Sequence, residues 1–145
     1  MNEELLRLNS VSIDYKVRDG YLSAVNNVSL TMNKSEIFAI VGESGCGKST
    51  IAHSIMRLLG KVTGNILFNG VDLIELSDNE ITKVRGREIG MIFQNPLDSL
   101  NPVYTTGRQV NEAIMQDGID RLTGWQRVLE LYRDVKMPDA EKRAE

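Results

Sequence analysis

Ile37-Phe38-Ala39-Ile40-Val41 runs directly into Gly42-Glu43-Ser44-Gly45-Cys46-Gly47-Lys48-Ser49-Thr50, and the reading of this stretch decides the fold. Five apolar residues rich in β-branched and aromatic types predict a buried strand, and Ile51 to Leu59 after the loop predicts a helix. Strand, G-x-x-x-x-G-K-[ST] and helix, in that order, are what a phosphate-binding loop (Walker A) requires. Glycines at 42, 45 and 47 open backbone angles closed to other residues, so successive N–H groups can converge on a phosphate. The helix that follows aims the positive end of its dipole at the same point. Lys48 is expected to bridge the β- and γ-phosphate oxygens, the Ser49 hydroxyl to bind Mg²⁺, and Thr50 to reach the α-phosphate. Glu43, Ser44 and Cys46 complete the loop, and at position 46 a small side chain suffices. The bland alternative is a glycine-rich turn with an incidental lysine. Strand before and helix after weigh against it, so nucleotide binding is the expectation.

Composition limits what can surround the loop. A chain of 145 residues builds one domain at most and buries roughly 70% of its unfolded surface. An apolar fraction of 41% and a mean hydropathy of -0.22 fit a soluble globular protein. With 17 basic against 20 acidic residues, a net charge of -3 and no basic stripe, nothing points to a nucleic-acid partner. The apolar runs are too short for a membrane span, and Met1-Asn2-Glu3-Glu4 lacks the basic start of a secretion signal. A cytoplasmic setting is expected. One cysteine excludes an internal disulfide and a cysteine-built metal site, in keeping with a reducing compartment.

Taken in order, Leu5 to Val17 and Leu22 to Met32 alternate well enough for two strands, and Asp19-Gly20 between them predicts an antiparallel hairpin. Asn33-Lys34-Ser35-Glu36 turns the chain into the loop strand. Gly60 is placed to end the helix, and Gly64 to Leu73 predicts a strand, an Asn-Gly turn and a strand. Ser77-Asp78-Asn79-Glu80 has capping-box spacing, which predicts a helix over Asp78 to Arg85. Ile89-Gly90-Met91-Ile92-Phe93 predicts a second buried strand that delivers Gln94 to its end. Beyond Pro96, Asn101 and Pro102 the rest reads as helices. Trp125, Val128, Leu129, Tyr132 and Val135 share one face of an amphipathic helix, so Trp125 is a packing residue before it is a ligand contact. No internal repeat or low-complexity tract occurs.

An N-terminal hairpin, the phosphate loop, an Asn-Gly hairpin and a strand ending in Phe93-Gln94 together resemble the ATP-binding subunits of ABC transporters, over essentially the whole chain. More narrowly, Gly42 to Ser49 followed by Phe93-Gln94-Asn95-Pro96-Leu97-Asp98-Ser99-Leu100-Asn101-Pro102 is similar to the oligopeptide, dipeptide and nickel import branch. The resemblance implies an α/β fold: a P-loop NTPase (RecA-like) core with an N-terminal antiparallel β-subdomain over residues 1–100, then the start of an α-helical subdomain over 101–145. It implies ATP and Mg²⁺ as cofactors, and Gln94 as the residue that touches Mg²⁺ and the attacking water. For the adenine it implies an aromatic from the first hairpin, where Tyr15 occupies the expected position and Tyr21 is the rival. His53, on the helix after the loop, is not the family's later switch histidine. Implied partners are membrane permease subunits and a second ATP-binding subunit, with the protein peripheral at the cytoplasmic face of the membrane during peptide import.

Two motifs of that family are missing. No apolar run ends in Asp-Glu, the pair that orders Mg²⁺ and polarises water, and no Leu-Ser-Gly-Gly-Gln occurs; Leu122-Thr123-Gly124-Trp125 is no substitute. The chain therefore reads as the N-terminal part of a longer subunit. By the same resemblance two further strands separate the loop strand from the Gln94 strand in a parallel sheet, so weak nucleotide binding and negligible hydrolysis are expected of these residues alone. Two other readings stay open: a non-transport P-loop protein, and an interaction fragment whose helices dock on a permease without catalysis.

Overall fold

The computed structural model describes residues 3–59 and 61–145. The chain divides into two compact units, Met1–Ile89 and Gly90–Glu145. The first is built on a four-stranded antiparallel sheet in the order β2-β1-β3-β4, with β1 at Glu4–Val17, β2 at Gly20–Asn33, β3 at Lys61–Phe68 and β4 at Val71–Asp72. Arg18-Asp19 forms the two-residue loop between β1 and β2, because Val17 pairs with Gly20. Asn69-Gly70 joins β3 to β4 with φ of 48° and 81°. Positive φ at both positions is the type I′ turn whose twist matches the flanking strands, as the Asn-Gly dipeptide predicts.

The first hairpin is not a regular ribbon. In β1 an extra residue interrupts the pairing between Leu8 and Val11, and Ser10 takes a φ of 49°. Its N–H donates to the Ser29 hydroxyl at 2.9 Å, while the N–H of Asn27, φ 50°, donates to the Ser12 hydroxyl at 2.9 Å. On the other side β3 meets this bulge with Gly64, where a Cβ would stand 2.5 Å from the Asn9 carbonyl oxygen. An extra residue reverses the inside-outside alternation of a strand. The buried set accordingly passes from Leu6 and Leu8 to Val11 and Ile13.

Leu6, Leu8, Val11, Ile13, Val25 and Ile66 of the sheet pack with Ile51, Leu73 and Ile81 into one core. Each such side chain contributes about 1.5–3 kcal/mol on burial, so this cluster, and not the exposed ion pairs, holds the unit. Helix α1 spans Lys48–Ile55 and supplies Ile51; helix α2 spans Asp78–Arg87 and supplies Ile81. The expected helix over Ile51 to Leu59 thus begins and ends earlier, because Arg57 turns left-handed, φ 48°. Gly60, the expected terminator, lies outside the described residues.

Two expected strands do not form. Ile37–Val41 has no ladder partner, and Ile37 and Val41 are 99% and 91% exposed; Ile89–Phe93 likewise is not a strand, and Ile92 is 92% exposed. Apolar composition sets a preference for extended backbone, but a strand exists only where a neighbour takes up its N–H and C=O groups. Every strand of the described sheet pairs antiparallel, and none pairs with these two segments.

The second unit holds a 3₁₀ turn at Pro96–Ser99 and helices α3 at Thr106–Met115, α4 at Arg121–Asp134 and α5 at Ala140–Ala144. Glycines let these helices meet. A Cβ on Gly107 would lie 2.3 Å from the Ala144 carbonyl oxygen, and one on Gly124 would lie 2.1 Å from Asn111 Oδ1. Val128, Tyr132, Ala140 and Ala144 form the buried centre, with Trp125 and Leu129 packed against it. The Tyr132 hydroxyl donates to Thr106 Oγ1 at 2.8 Å. Val135 departs from the expected face: it follows the last helical residue and is exposed.

Helix α2 starts with the capping box that its sequence predicts. The Glu80 N–H donates to Ser77 Oγ, and the Ser77 N–H donates to the Glu80 carboxylate at 2.9 Å. Hydrogen bonds from the Ser77 hydroxyl and N–H hold the Glu80 carboxyl below its usual range. A depressed carboxyl stabilises the fold fully above its unfolded value, and that contribution disappears as pH falls through the lower folded value. Ser77→Ala is expected to cost about 1 kcal/mol in urea unfolding at neutral pH. The part of the deficit carried by the bond from the Ser77 hydroxyl to the Glu80 carboxylate should shrink in acid, where protonation weakens that bond in the wild-type protein. The part carried by the Glu80 N–H should remain.

Candidate functional site

Gly47 starts the site. It is the N-cap of α1 with φ 94° and ψ 3°, and a Cβ there would stand 2.7 Å from the Ala24 carbonyl oxygen and 3.0 Å from Val25 Cγ2. Both the left-handed backbone and the space exclude a side chain. Ala24 presents that carbonyl because it is the extra residue in β2 where the register steps from Ile13–Val25 to Asp14–Ser23. Nothing in the type of residue 24 signals this, so sequence reasoning missed it.

The loop before Gly47 is a tight turn, with Cys46 N–H donating to the Glu43 carbonyl at 3.4 Å and Gly45 at φ 81°. The first intrahelical bond runs from Ile51 N–H to the Gly47 carbonyl at 3.0 Å. The N–H groups of Lys48, Ser49 and Thr50 therefore face out of the helix start without an intrahelical acceptor. No side chain caps them, and no acidic residue lies in the first turn of α1. Helix α2 is the contrast, since Asp78 and Glu80 fill its first turn. Of these two helices, α1 alone keeps its positive end open to an external anion.

Lys48 lies across the loop. Its ammonium donates to the Gly42 carbonyl at 2.8 Å and the Glu43 carbonyl at 2.5 Å, with Cys46 Sγ at 3.5 Å. A Cβ on Gly42 would lie 2.8 Å from that sulfur, so the loop closes tightly on itself. The charge is thus held by carbonyls of the loop itself. Ser44, Ser49 and Cys46 are exposed, and the Ser49 hydroxyl has no partner among the described residues.

Tyr15 reaches the same place from β1. The strand's inward face beyond the bulge carries Val11, Ile13 and Tyr15, and the Tyr15 hydroxyl donates to Thr50 Oγ1 at 3.4 Å. Without the extra residue Asp14 and Lys16 would face that way instead. Tyr21 pairs with Lys16 and so belongs to the opposite face, where the Lys61 ammonium sits 4.9 Å from its ring centre. The structure therefore brings Tyr15, Lys48, Ser49 and Thr50 together within the first unit and turns Tyr21 away. His53 is a half-buried residue on α1. Gln94 belongs to the second unit, exposed on a bend just before the 3₁₀ turn. Among the described residues no cluster of three or more His, Cys, Asp or Glu could hold a metal ion, and no helix is long and apolar enough to cross a membrane.

Residues 25–145 match the ABC transporter family. The chain is 39% identical over 143 residues to the oligopeptide transport ATP-binding protein OppD of Haemophilus influenzae, covering 96% of this chain and 44% of that protein. It is 42% identical over 147 residues to the dipeptide transport ATP-binding protein DppD of Bacillus subtilis, covering 97% of this chain and 44% of that one. The chain thus spans less than half the length of these curated relatives. Among solved structures it is similar to MJ0796, a bacterial ABC transporter cassette solved as a dimer, with a TM-score of 0.82 at 28% identity over 97% of this chain and 60% of that one. A second dimeric structure of MJ0796, in a post-hydrolysis state bound to ADP and Pi, matches with a TM-score of 0.81 at 28% identity over the same shares.

Gly47→Ala tests the seat of α1. The left-handed backbone alone costs about 1–2 kcal/mol, and the contact with the Ala24 carbonyl adds to it, so urea unfolding should show a loss above that range. Gly45→Ala, with open space around its Cβ, should show only the backbone cost.

Proposed function

Because residues 25–145 carry its match, the chain belongs to the ABC transporter family, and we propose that it is the ATP-binding part of a subunit that powers peptide import. The observation that carries this reading is the start of α1. An acid-free helix N-terminus, seated on the sheet by Gly47 and carrying Lys48 as its first residue, suits a polyphosphate better than any other ligand class. The identity to oligopeptide and dipeptide transport ATP-binding proteins supports peptides as the cargo.

In this reading Gly42 to Gly47 wrap the terminal phosphates with backbone N–H groups, and Lys48 exchanges its loop carbonyls for phosphate oxygens. Thr50 lies beside the α-phosphate. Tyr15, tied to Thr50 from the inward face of β1, offers its ring to the adenine. Mg²⁺ fits the exposed Ser49 hydroxyl, a hard oxygen ligand, with phosphates and water supplying the rest, and Gln94 enters as a ligand on the family resemblance alone. When bound, the ion neutralises the charge that develops on the phosphates. Gln94 is assigned to orient the attacking water.

These 145 residues bind nucleotide without turning it over, because their sequence offers no Asp-Glu pair after an apolar run. The partners proposed are the permease subunits and a second ATP-binding subunit. The site of action is then the cytoplasmic face of the membrane. A nucleotide kinase or GTPase would not need Phe93-Gln94-Asn95-Pro96.

Calorimetry tests the assignments. Lys48→Ala should weaken ATP and inorganic tripolyphosphate alike, by about a hundredfold for loss of a charge-assisted contact worth about 2–3 kcal/mol. Tyr15→Ala should weaken ATP by about tenfold or more, since base stacking contributes about 1–3 kcal/mol, and leave tripolyphosphate unchanged. ATP turnover by this polypeptide that Lys48→Ala abolishes would overturn the binding-only reading.

A further inference from the structure

Helix α1 has 8 residues, and isolated helices shorter than about 12–15 residues are marginal in water. Something must hold both of its ends. The N-terminal end is seated by Gly47 against β2. At the C-terminal end Arg57 stands in the left-handed conformation usually left to glycine. The Leu58 N–H donates to the His53 carbonyl at 3.0 Å and the Arg57 N–H to the Ser54 carbonyl at 2.8 Å, the two bonds of a Schellman ending.

The carbonyls that follow are taken by Arg85 of α2. Its Nε donates to the Met56 carbonyl at 2.7 Å and its Nη2 to the Arg57 carbonyl at 2.5 Å. In return the Arg57 guanidinium donates to the Leu76 carbonyl and, at 2.8 Å, to the Asp78 carboxylate at the start of α2. Each helix thus sends an arginine to an end of the other. Arg85 does two things that Arg57 does not: it satisfies main-chain acceptors that end α1, and it places positive charge at the negative end of that helix.

We propose that Arg85 is a positioning residue for the phosphate loop. With Gly47 as a fixed pivot, freedom at the far end tilts α1 and turns the N–H groups of Lys48, Ser49 and Thr50 away from their common focus. A helix of this length is about 12 Å long, so a 3 Å displacement of its last turn tilts it by about 14°. A tilt of that size uses up most of the about 10–20° within which a binding geometry stays productive. The inference rests on the reading of α1 as the phosphate-binding helix.

Binding of ATP and of tripolyphosphate to this chain is to be measured by calorimetry for the wild type, Arg85→Gln, Arg85→Lys, Arg57→Gly and Lys48→Ala. The temperature is one at which circular dichroism shows each free protein folded. Arg85→Gln should weaken both ligands by the same factor, about tenfold. Arg85→Lys should recover part of this, since an ammonium reaches one carbonyl but cannot fork to two. Arg57→Gly keeps the carbonyls that Arg85 uses and should stay within about twofold of the wild type. A merely structural role would lower the thermal midpoint of the free protein and leave the affinity of the folded protein unchanged; that result overturns the proposal. So does an equal loss in Arg57→Gly. If Arg85→Gln does not fold, wild-type affinity in Arg85→Lys overturns it. Undiminished binding by Lys48→Ala, or none by the wild type, overturns the underlying reading and the proposal with it.

Discussion

The close approach of Gly47 to the Ala24 carbonyl is the constraint on which the rest of the site depends. A bulged residue in β2 turns its carbonyl toward the loop, and only a residue without a side chain can lie against it. That contact fixes where α1 begins, and hence which three N–H groups are left open. It also sets Ile51 into the sheet core, so a core residue and the open N–H groups of the helix start belong to one helix. The loop is thus anchored to the core through α1 in addition to the bonds it makes within itself.

The two helices of the first unit show how the same backbone serves opposite purposes. Helix α2 closes its N-terminus with Ser77 and Glu80 and uses it up. Helix α1 leaves its N-terminus bare and has its C-terminus finished by Arg57 and Arg85. A bare N-terminus lacks the stabilisation of about 1 kcal/mol that a capping side chain contributes. An anion that binds there restores it, which is one reason ligand and fold support each other.

Much of this was legible in the sequence, for reasons that lie in single residues or short spacings. Asn69-Gly70 demands positive φ twice and gets it; Ser77 and Glu80 stand three apart and close their box. The Val128 and Tyr132 spacing places both in the centre of the second unit. What the sequence did not disclose depends on two segments at once. Ile37–Val41 has the composition of a strand, yet pairing is a property of neighbours, and no described strand pairs with it. The end of α1 was assigned to Gly60, but Arg57 ends it, because arginines from two helices hold a backbone that glycine would adopt freely. At the site, the loop residues were readable from their motif. The resemblance already puts Tyr15 ahead of Tyr21, but that the two rings lie on opposite faces turns on bulges that only cross-strand register reveals.

The bulge at Ser10 has a consequence of its own. A strand has parity: counting from its first inward residue, every second side chain faces in, and one inserted or lost residue exchanges the two sets. At the tip of β1 those sets are Tyr15 on one side and Asp14 and Lys16 on the other. An aromatic surface and a charged one are thus separated by a single step of indexing, with no change to any side chain. A lineage that shed the bulge would exchange the ring facing α1 for an ion pair former in one event, and Gly64, which makes room for the bulge from β3, is the residue that guards against it.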